Sequence, residues 1–284
     1  MCHYIIIYLL VYMNIYGDWF NRDIKVNNYP FNNVIINNFL DNEYYNKIIN
    51  TLPDNITDDF WKYYNPIEVK YVLDKKDKIG TEINNLISHL SEDTFVNKLR
   101  HIFNINDIEV DDTLHGSGIH FHPRYGRLNM HLDYEKHPIL ENRQRRLNII
   151  YYLNNEWKEE WNGATELWNA DMTQCVSKCY PSKNKAIIFE TSEMSWHGVP
   201  EIIKCPEGIY RKTLALYYIS PLKSNPVKNK LGADEDGYRK KAVFVKRPQD
   251  NYDERMEKLY KIRPYRRITE NDMTDIWPEW NIYS

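Results

Sequence analysis

The chain has 284 residues, 42% of them hydrophobic and 27% charged, and this length allows one large domain or two small ones. The balance is typical of a globular protein and excludes a disordered, collagen-like or multi-span membrane chain. Lys and Arg total 37 against 40 Asp and Glu, so the net charge of −3 does not favour a nucleic-acid or membrane partner. Four cysteines are too few for a disulfide scaffold, which indicates a reduced, intracellular protein.

An apolar run, YIIIYLLVYM, extends from Tyr4 to Met13. It is too short to span a bilayer, which takes about 20 apolar residues. It also lacks the preceding basic residue and the following small-residue cleavage site of a secretory signal. A buried strand is therefore favoured over a targeting segment, and we expect no membrane span and a cytoplasmic location.

The next region carries a short strand and three helices. Residues 33–38 read as a strand, and Asp41 can cap a helix over 42–52 that ends before Pro53. Apolar residues at helical spacing predict a second helix over 81–90 and a third that Ser91 caps.

From Asp111 onward the sequence consists of short runs of strand-forming residues broken by Gly, Pro and Asn. Six such strands without intervening helices predict an antiparallel sandwich or barrel. The Asn162-Gly163 dipeptide predicts a hairpin turn before the fourth of them. The strands are 118–122, 127–134, 146–154, 164–168, 185–190 and 211–220.

After Pro221 the chain is loop-like, and residues 239–267 then carry eleven Lys and Arg against four Asp and Glu. This stretch contains a possible strand at 242–245 and a helix near 252–262, and a capped helix follows Thr269. We expect it to pack on the strand-rich region through its apolar residues, the alternative being a surface that recruits an acidic partner.

The strongest chemical pattern is His131-Leu132-Asp133. Side chains two apart on a strand project to the same face, so the two polar groups can share one ion. A single pair of this kind arises about once by chance in such a composition, and the downstream His197 is what strengthens the interpretation. Two imidazoles and one carboxylate suit non-haem Fe(II), although zinc hydrolases use similar ligands.

A second polar face lies on the strand 211–220. Arg211, Thr213 and Ala215 share it, so a guanidinium and a hydroxyl can converge on one carboxylate. The strand 146–154 presents a mixed face that can line a dry, hydrogen-bonding pocket, namely Asn148, Ile150 and Tyr152.

Taken in order, HLD, RRLNIIYYLNNEW, NGATELW, KAIIFETSEMSWHGVPEI and RKTLALYY resemble the Fe(II)/2-oxoglutarate-dependent dioxygenases, in particular their prolyl-hydroxylase-like branch. The resemblance covers roughly residues 111–221. It implies an α+β protein with a double-stranded β-helix (jelly-roll) core, N-terminal supporting helices and a C-terminal helical extension. The expected regions are an N-terminal segment 1–32, a helical region 33–110, the core 111–221 and the basic extension 222–284.

The resemblance also implies roles for the candidate residues. Iron would be bound at His131, Asp133 and His197. Arg211 would hold the distal carboxylate of 2-oxoglutarate, with Thr213, Tyr152 and Asn148 beside it. Molecular oxygen is the other co-substrate, and a requirement for ascorbate stays open.

Some positions depart from the family pattern. The sequence HFHP places His120 and His122 where oxygen-sensing relatives carry a tyrosine, and the alternative is that both are rim histidines. Arg145 and Arg146 can contact substrate or a neighbouring carboxylate, and a solvated strand end is the favoured alternative. Tyr217 stands where nucleic-acid demethylases of the superfamily carry a second arginine, which argues against that branch.

The resemblance therefore implies a dioxygenase that hydroxylates a prolyl residue of a peptide or protein. Two alternatives stay open: hydroxylation of a small metabolite or sugar, and a non-catalytic jelly-roll module that only binds a metal.

Overall fold

The computed structural model describes residues 15–223, 226–251 and 253–283, so the predicted strand at Tyr4–Met13 lies outside the described residues. The described strands are β1 Asn33–Asn37, β2 Trp61–Asn65, β3 Glu68–Leu73, β4 Glu109–Val110, β5 Gly118–His122, β6 Arg127–Leu132, β7 Arg143–Tyr152, β8 Thr165–Trp168, β9 Cys175–Cys179, β10 Lys185–Glu190, β11 His197–Val199, β12 Arg211–Pro221 and β13 Val243–Phe244. The described helices are α1 Asn42–Ile49, α2 Thr81–Ser91, α3 Asp93–Phe103, α4 Glu254–Ile262 and α5 Glu270–Ile276.

The strands form one antiparallel system that folds over on itself as a jelly roll. Its order is β1-β10-β7-β12-β5-β3-β6-β11-β8-β9, and outside this order β2 pairs with β3, β4 with β12 and β13 with β6. Contacts between β7 and β8 and between β10 and β11 show that the two ends of this path face each other: the Tyr152 hydroxyl lies 2.8 Å from Thr165 Oγ1, and the rings of Phe189 and His197 are 4.7 Å apart. The predicted α+β fold with a jelly-roll core is confirmed.

Strand β7 separates two apolar clusters by the alternation of its side chains. Leu147, Ile149 and Tyr151 face outward and pack with the helices α1 to α3 in the largest core cluster. Tyr152 faces inward and packs with Phe189 and other residues of the jelly-roll interior. The helices thus support the outer face of the sheet and leave its inner face free to build a site.

The first helix begins as expected, because the Asp41 side chain accepts hydrogen bonds from the backbone N–H groups of Glu43 and Tyr44. Ser91 does not cap the third helix: it is the last residue of α2, where its hydroxyl donates to the Ile87 carbonyl, and Glu92 is the capping position of α3. Both Asn162 and Gly163 have positive φ, but they do not form a hairpin turn, because the following strand β8 pairs with β9 and β11 rather than with β7.

The hairpin of β2 and β3 was not predicted from the sequence. Strand β3 pairs with β2 along one edge, and along its other edge it pairs first with β6, through Glu68 and Val69, and then with β5, through residues 71–73. Three of its side chains, Glu68, Lys70 and Val72, line the central cavity. The region before residue 111 therefore contributes to the site as well as supporting it.

The C-terminal extension packs against the jelly roll. Strand β13 pairs with β6, and the Phe244 ring lies nearly parallel to that of His131 with 5.0 Å between their centres. Phe244 also forms a buried cluster with Ile67 and with Tyr260 of α4. Among the described residues, no helix has the length and apolar character that crossing a membrane requires.

Truncation after Ser220 is expected to produce an aggregating protein, because it uncovers Ile67 and one face of His131, which Phe244 and Tyr260 bury in the full chain. Size-exclusion chromatography with light scattering of the truncated and full-length proteins measures this. A truncated protein that is monodisperse would contradict the packing role of the extension.

Candidate active site

Strand pairing brings together the two histidines singled out in the sequence. His131 on β6 is the ladder partner of His197 on β11, and Asp133 follows β6 directly. Asp133 lies 3.8 Å from His131 Nε2 through Oδ1 and 3.6 Å from His197 Nε2 through Oδ2. One ligand atom from each of the three residues lies within 4.8 Å of the others, which is the spacing that a shared metal ion needs.

Hydrogen bonds to the backbone fix which nitrogen of each ring is free. His131 Nδ1 lies 3.0 Å from the Asn129 carbonyl and His197 Nδ1 lies 2.8 Å from the Ser195 carbonyl. A carbonyl can only accept, so each Nδ1 carries the proton and each Nε2 presents its lone pair toward Asp133. Burial lowers the pKa of His131 to about 3, with the neighbouring His197 adding to the effect, so both rings are neutral and suited to bind a cation.

Arg145 holds the carboxylate of the cluster. Its Nη1 lies 2.7 Å from Asp133 Oδ1, and its guanidinium is clasped between the rings of Tyr134 and Tyr217, 4.0 and 3.3 Å from their centres. Burial alone would raise the pKa of Asp133, but the charge and hydrogen bond of Arg145 outweigh it and hold that pKa well below its usual value. Asn148 Nδ2 donates to Oδ2 at 3.3 Å and completes the support of the carboxylate.

Replacing Arg145 by glutamine is expected to lower the free energy of unfolding of the metal-free protein at pH 7 by about 3 kcal/mol, because it leaves a buried carboxylate without its cation. The folded-state pKa of Asp133 lies below its unfolded value of about 3.9, so this stabilisation is present above that pH and is lost as the pH falls through the folded-state pKa. Urea unfolding at pH 7 measures the loss. Arg146→Gln is the matched control, since Arg146 pairs with the partly exposed Glu190, and a similar loss in both variants would contradict the assignment.

Arg211 is the other buried cation of the cavity, with 2% of its surface exposed. Its Nε donates to the Gly163 carbonyl at 2.7 Å and its Nη2 to Thr165 Oγ1 at 2.9 Å, while no carboxylate of the described residues pairs with it. Burial consequently lowers the pKa of Arg211, although Tyr152, whose ring centre is 5.2 Å away, opposes this. A buried guanidinium of this kind is stabilised when an anionic ligand reaches it.

Parts of this chain are similar to known proteins. Residues 118–219 match the family model of the 2OG-Fe(II) oxygenase superfamily. This segment is a member of that superfamily. The predicted family is thereby confirmed, and so is the predicted enzyme class, the 2-oxoglutarate-dependent dioxygenases. The predicted Fe(II) and 2-oxoglutarate are the two groups that the superfamily's description names.

The oxygenase segment also has individual relatives. The chain is 30% identical over 86 residues to prolyl 3-hydroxylase OGFOD1 of Mus musculus, which covers 29% of this chain but only 15% of that relative's length. A prolyl-4-hydroxylase of Pseudomonas putida superposes with a TM-score of 0.49 and 14% identity, covering 68% of this chain and 93% of that one. A prolyl hydroxylase of Trichoplax adhaerens superposes with a TM-score of 0.47 and 16% identity over 66% and 83% of the two chains.

The residues of the oxygenase segment fit the two groups that its superfamily uses. Two neutral imidazoles and an ionised carboxylate form a donor set suited to Fe(II). Arg211, which has no carboxylate partner among the described residues, lines the same cavity as the three candidate ligands and suits one carboxylate of 2-oxoglutarate. Thr213 and Asn148 line this cavity as well. Tyr152, the ladder partner of Thr213, does not line it, and its hydroxyl is hydrogen-bonded to Thr165 Oγ1 and to the Cys179 carbonyl.

His120 and His122 lie on β5, opposite Thr213 and Arg211 of β12, and both line the cavity. Both nitrogens of His122 and Nε2 of His120 are buried and lack a hydrogen-bond partner within the protein. Burial lowers the pKa of His120 to about 3 and holds that of His122 well below its usual value, so both are neutral groups able to donate or accept toward a ligand.

Arg146 is not brought to this cavity. It forms an ion pair with Glu190 at 3.1 Å, and the cavity position belongs to its neighbour Arg145. Thr165 and Gly163 bind the Arg211 side chain, although the sequence assigned neither of them to the site. Gly163 has a φ of +81° and a Cβ there would lie 3.1 Å from the Trp157 ring and 3.4 Å from Arg211 Cδ, so this position requires a glycine. The sequence could have pointed to Gly163 and Thr165, because both lie in the NGATELW segment that carries part of the family resemblance.

Proposed function

We propose that this protein is an Fe(II)- and 2-oxoglutarate-dependent hydroxylase that acts on a prolyl residue of a peptide or protein. The observation that carries the proposal is the presence, in one cavity, of the His131, Asp133 and His197 cluster and of Arg211, a buried cation that no carboxylate of the described residues neutralises. A zinc hydrolase with the same three ligands would leave Arg211 without a role.

In this proposal the chain supplies binding and orientation. His131, Asp133 and His197 hold the metal, and Arg145 and Asn148 keep the Asp133 carboxylate ionised and oriented. Arg211 holds the distal carboxylate of 2-oxoglutarate, with Thr213 beside it, while the Tyr152 hydroxyl fixes Thr165. The bound metal supplies the oxidising chemistry: 2-oxoglutarate loses CO2 and becomes succinate, taking one oxygen atom of O2, while the other atom enters a C–H bond of the substrate.

A peptide is favoured over a small metabolite as substrate. The relative that shares 30% identity over 86 residues is named a prolyl 3-hydroxylase. In addition, the cavity opens on a rim that includes the exposed side chains of Trp61 and Arg267, so main chain on either side of a buried residue can pass over it. Hydroxylation of a small metabolite or sugar is the second candidate, and it needs only the buried floor of the cavity.

Turnover of 2-oxoglutarate in the presence of separate peptide and metabolite pools tests the proposal. We expect succinate to form above background only with the proline-containing peptide pool, and a peptide to gain the mass of one oxygen atom. The same pool with every proline replaced by alanine is the matched control. Oxygen gain in the alanine pool or in a metabolite would contradict the prolyl substrate, and absence of succinate with all pools would contradict the activity.

A further inference from the structure

The basic character of the C-terminal extension is mostly neutralised within the protein. Several of its cations form ion pairs: Arg239 with Glu193, Lys240 with Asp234, Arg247 with Glu201 and Asp250, and Arg263 with Glu68. Lys241 and Arg267 differ, because no carboxylate of residues 15–223, 226–251 and 253–283 lies within ion-pair distance of either. Both of them line the central cavity.

Two further cations stand with them at the cavity. Lys70 of β3 and Arg263, which follows α4, lie 3.3 and 3.1 Å from opposite oxygens of one buried carboxylate, Glu68. Lys70, Lys241, Arg263 and Arg267, called here the basic rim, therefore share a single ion-paired acid. Asp74, which also lines the cavity, accepts a hydrogen bond from Trp61 Nε1 at 3.0 Å.

Two cations of the basic rim, Lys241 and Arg267, are held in place without being neutralised. Arg267 lies over the rings of Tyr63 and Trp61, 4.9 and 5.6 Å from their centres. Burial and the guanidinium groups of Arg263 and Arg267 lower the pKa of Lys241, which is the effect expected where a cation lacks a nearby acid. Such preorganised, uncompensated cations favour binding of a negative group.

The basic rim adjoins the candidate metal cluster. Arg263 lies 5.2 Å from the centre of the Phe244 ring, and that ring stacks on His131 with 5.0 Å between centres. A group bound at the rim is therefore separated from a metal ligand by one aromatic side chain. That places it close to the residue that undergoes chemistry.

We propose that the basic rim binds an acidic side chain of the peptide substrate, so that the preferred substrate carries Asp or Glu within a few residues of the modified position. This rests on the proposed peptide hydroxylase function and specifies its substrate class. A peptide carboxylate is favoured over a nucleic-acid strand, because Glu68 and Asp74 lie at the same rim and the chain as a whole carries a net charge of −3.

Equilibrium binding of fluorescent peptides tests the proposal without requiring turnover. The probes are two proline-centred peptide libraries, one with Asp and Glu at the flanking positions and one with Asn and Gln there. Binding is measured by anisotropy to the full-length protein, both alone and loaded with Mn(II) and 2-oxoglutarate. We expect the acidic library to bind about 10-fold more tightly, with the difference shrinking as salt is raised.

The discriminating variant is Lys241→Gln/Arg267→Gln, which we expect to abolish the preference while leaving 2-oxoglutarate affinity unchanged. Lys228→Gln/Lys261→Gln is the matched control, because it removes the same charge from exposed positions outside the cavity, and we expect it to keep the preference. Equal binding of the two libraries, or a preference that survives in the first variant, would overturn the proposal.

Two other results would distinguish a nucleic-acid ligand from a peptide, and failure of the proposed function from failure of the basic-rim proposal. A single-stranded oligonucleotide that displaces the acidic peptides at lower concentration, in a manner dependent on Lys241 and Arg267, would overturn the assignment to a peptide. If the unaltered protein does not bind 2-oxoglutarate but still prefers the acidic library, the result would count against the proposed function and leave the basic rim as an acidic-peptide site.

Discussion

Replacing Arg211 by alanine is expected to weaken 2-oxoglutarate binding by about 10- to 1000-fold. Arg211 is buried and its guanidinium has no carboxylate partner among the described residues, so the distal carboxylate of the co-substrate is the group that would neutralise it. Arg211→Lys should recover only part of the affinity, because an ammonium group cannot make two parallel hydrogen bonds to a carboxylate. Isothermal calorimetry with the Mn(II)-loaded protein measures each affinity.

The neighbouring Lys212→Ala variant is the matched control. Lys212 projects from the opposite face of β12, where it donates to the Pro53 carbonyl at 2.9 Å and lies over the Phe121 ring. We expect this variant to bind 2-oxoglutarate normally, and both variants to keep their affinity for the metal. An Arg211→Ala protein with unchanged 2-oxoglutarate affinity would show that the anchor has been misplaced.

Asp133→Asn is expected to lower Fe(II) affinity by about 100-fold or more, since it removes the anionic ligand and keeps the size of the side chain. The asparagine oxygen can still accept from Arg145, so the fold should persist. Asp133→Ala, by contrast, leaves Arg145 as an unpaired buried charge and should also lower the free energy of unfolding by about 3 kcal/mol. Metal binding is measured by equilibrium dialysis and unfolding by urea titration.

Asp112→Asn serves as the control, because Asp112 is an exposed aspartate and does not line the cavity. It should bind the metal like the unaltered protein. Full metal affinity in Asp133→Asn would remove Asp133 from the candidate site.

Much of the candidate site could be predicted because it lies on strands, where side chains alternate. The rule places His131 and Asp133 on one face, and it places Asn148 with Tyr152 and Arg211 with Thr213. The structure shows these groups around one cavity or in direct contact with its lining. Short-range sequence signals were also sufficient to predict that Asp41 caps α1 and that a capped helix follows Thr269, where the structure has a capping box.

The alternation of side chains along β7 does not hold at Arg145 and Arg146. If the alternation continued from Asn148, it would place Arg146 on the cavity face. The ladder between β7 and β12 shifts there, since Tyr218 pairs with Leu147 but Ile219 pairs with Arg145. This irregularity inserts Arg146 as an extra residue and directs Arg145 toward Asp133 instead. A register shift of this kind depends on the partner strand, which a single sequence does not identify.

The hairpin of β2 and β3 escaped prediction because its pattern is set by tertiary contacts. Residues 61–65 read WKYYN, a strand whose side chains are mostly exposed, and the next strand carries Glu68 and Lys70 at inward positions. Charged residues normally indicate a solvated surface. Here Glu68 is buried and Lys70 partly buried, because Arg263, which follows α4 and lies 195 positions further along the chain, pairs with Glu68. The basic rim could not be predicted for the same reason.

Anaerobic titration of the unaltered protein with Fe(II) and then 2-oxoglutarate is the most direct test of the assignment as an Fe(II)- and 2-oxoglutarate-dependent dioxygenase. We expect a visible charge-transfer absorption that needs both additions, saturates at one equivalent of each and is lost in Asp133→Asn. In Arg211→Ala it should require about 10- to 1000-fold more 2-oxoglutarate. Absence of this absorption, with Zn(II) bound at His131, Asp133 and His197 in place of Fe(II), would contradict the dioxygenase assignment.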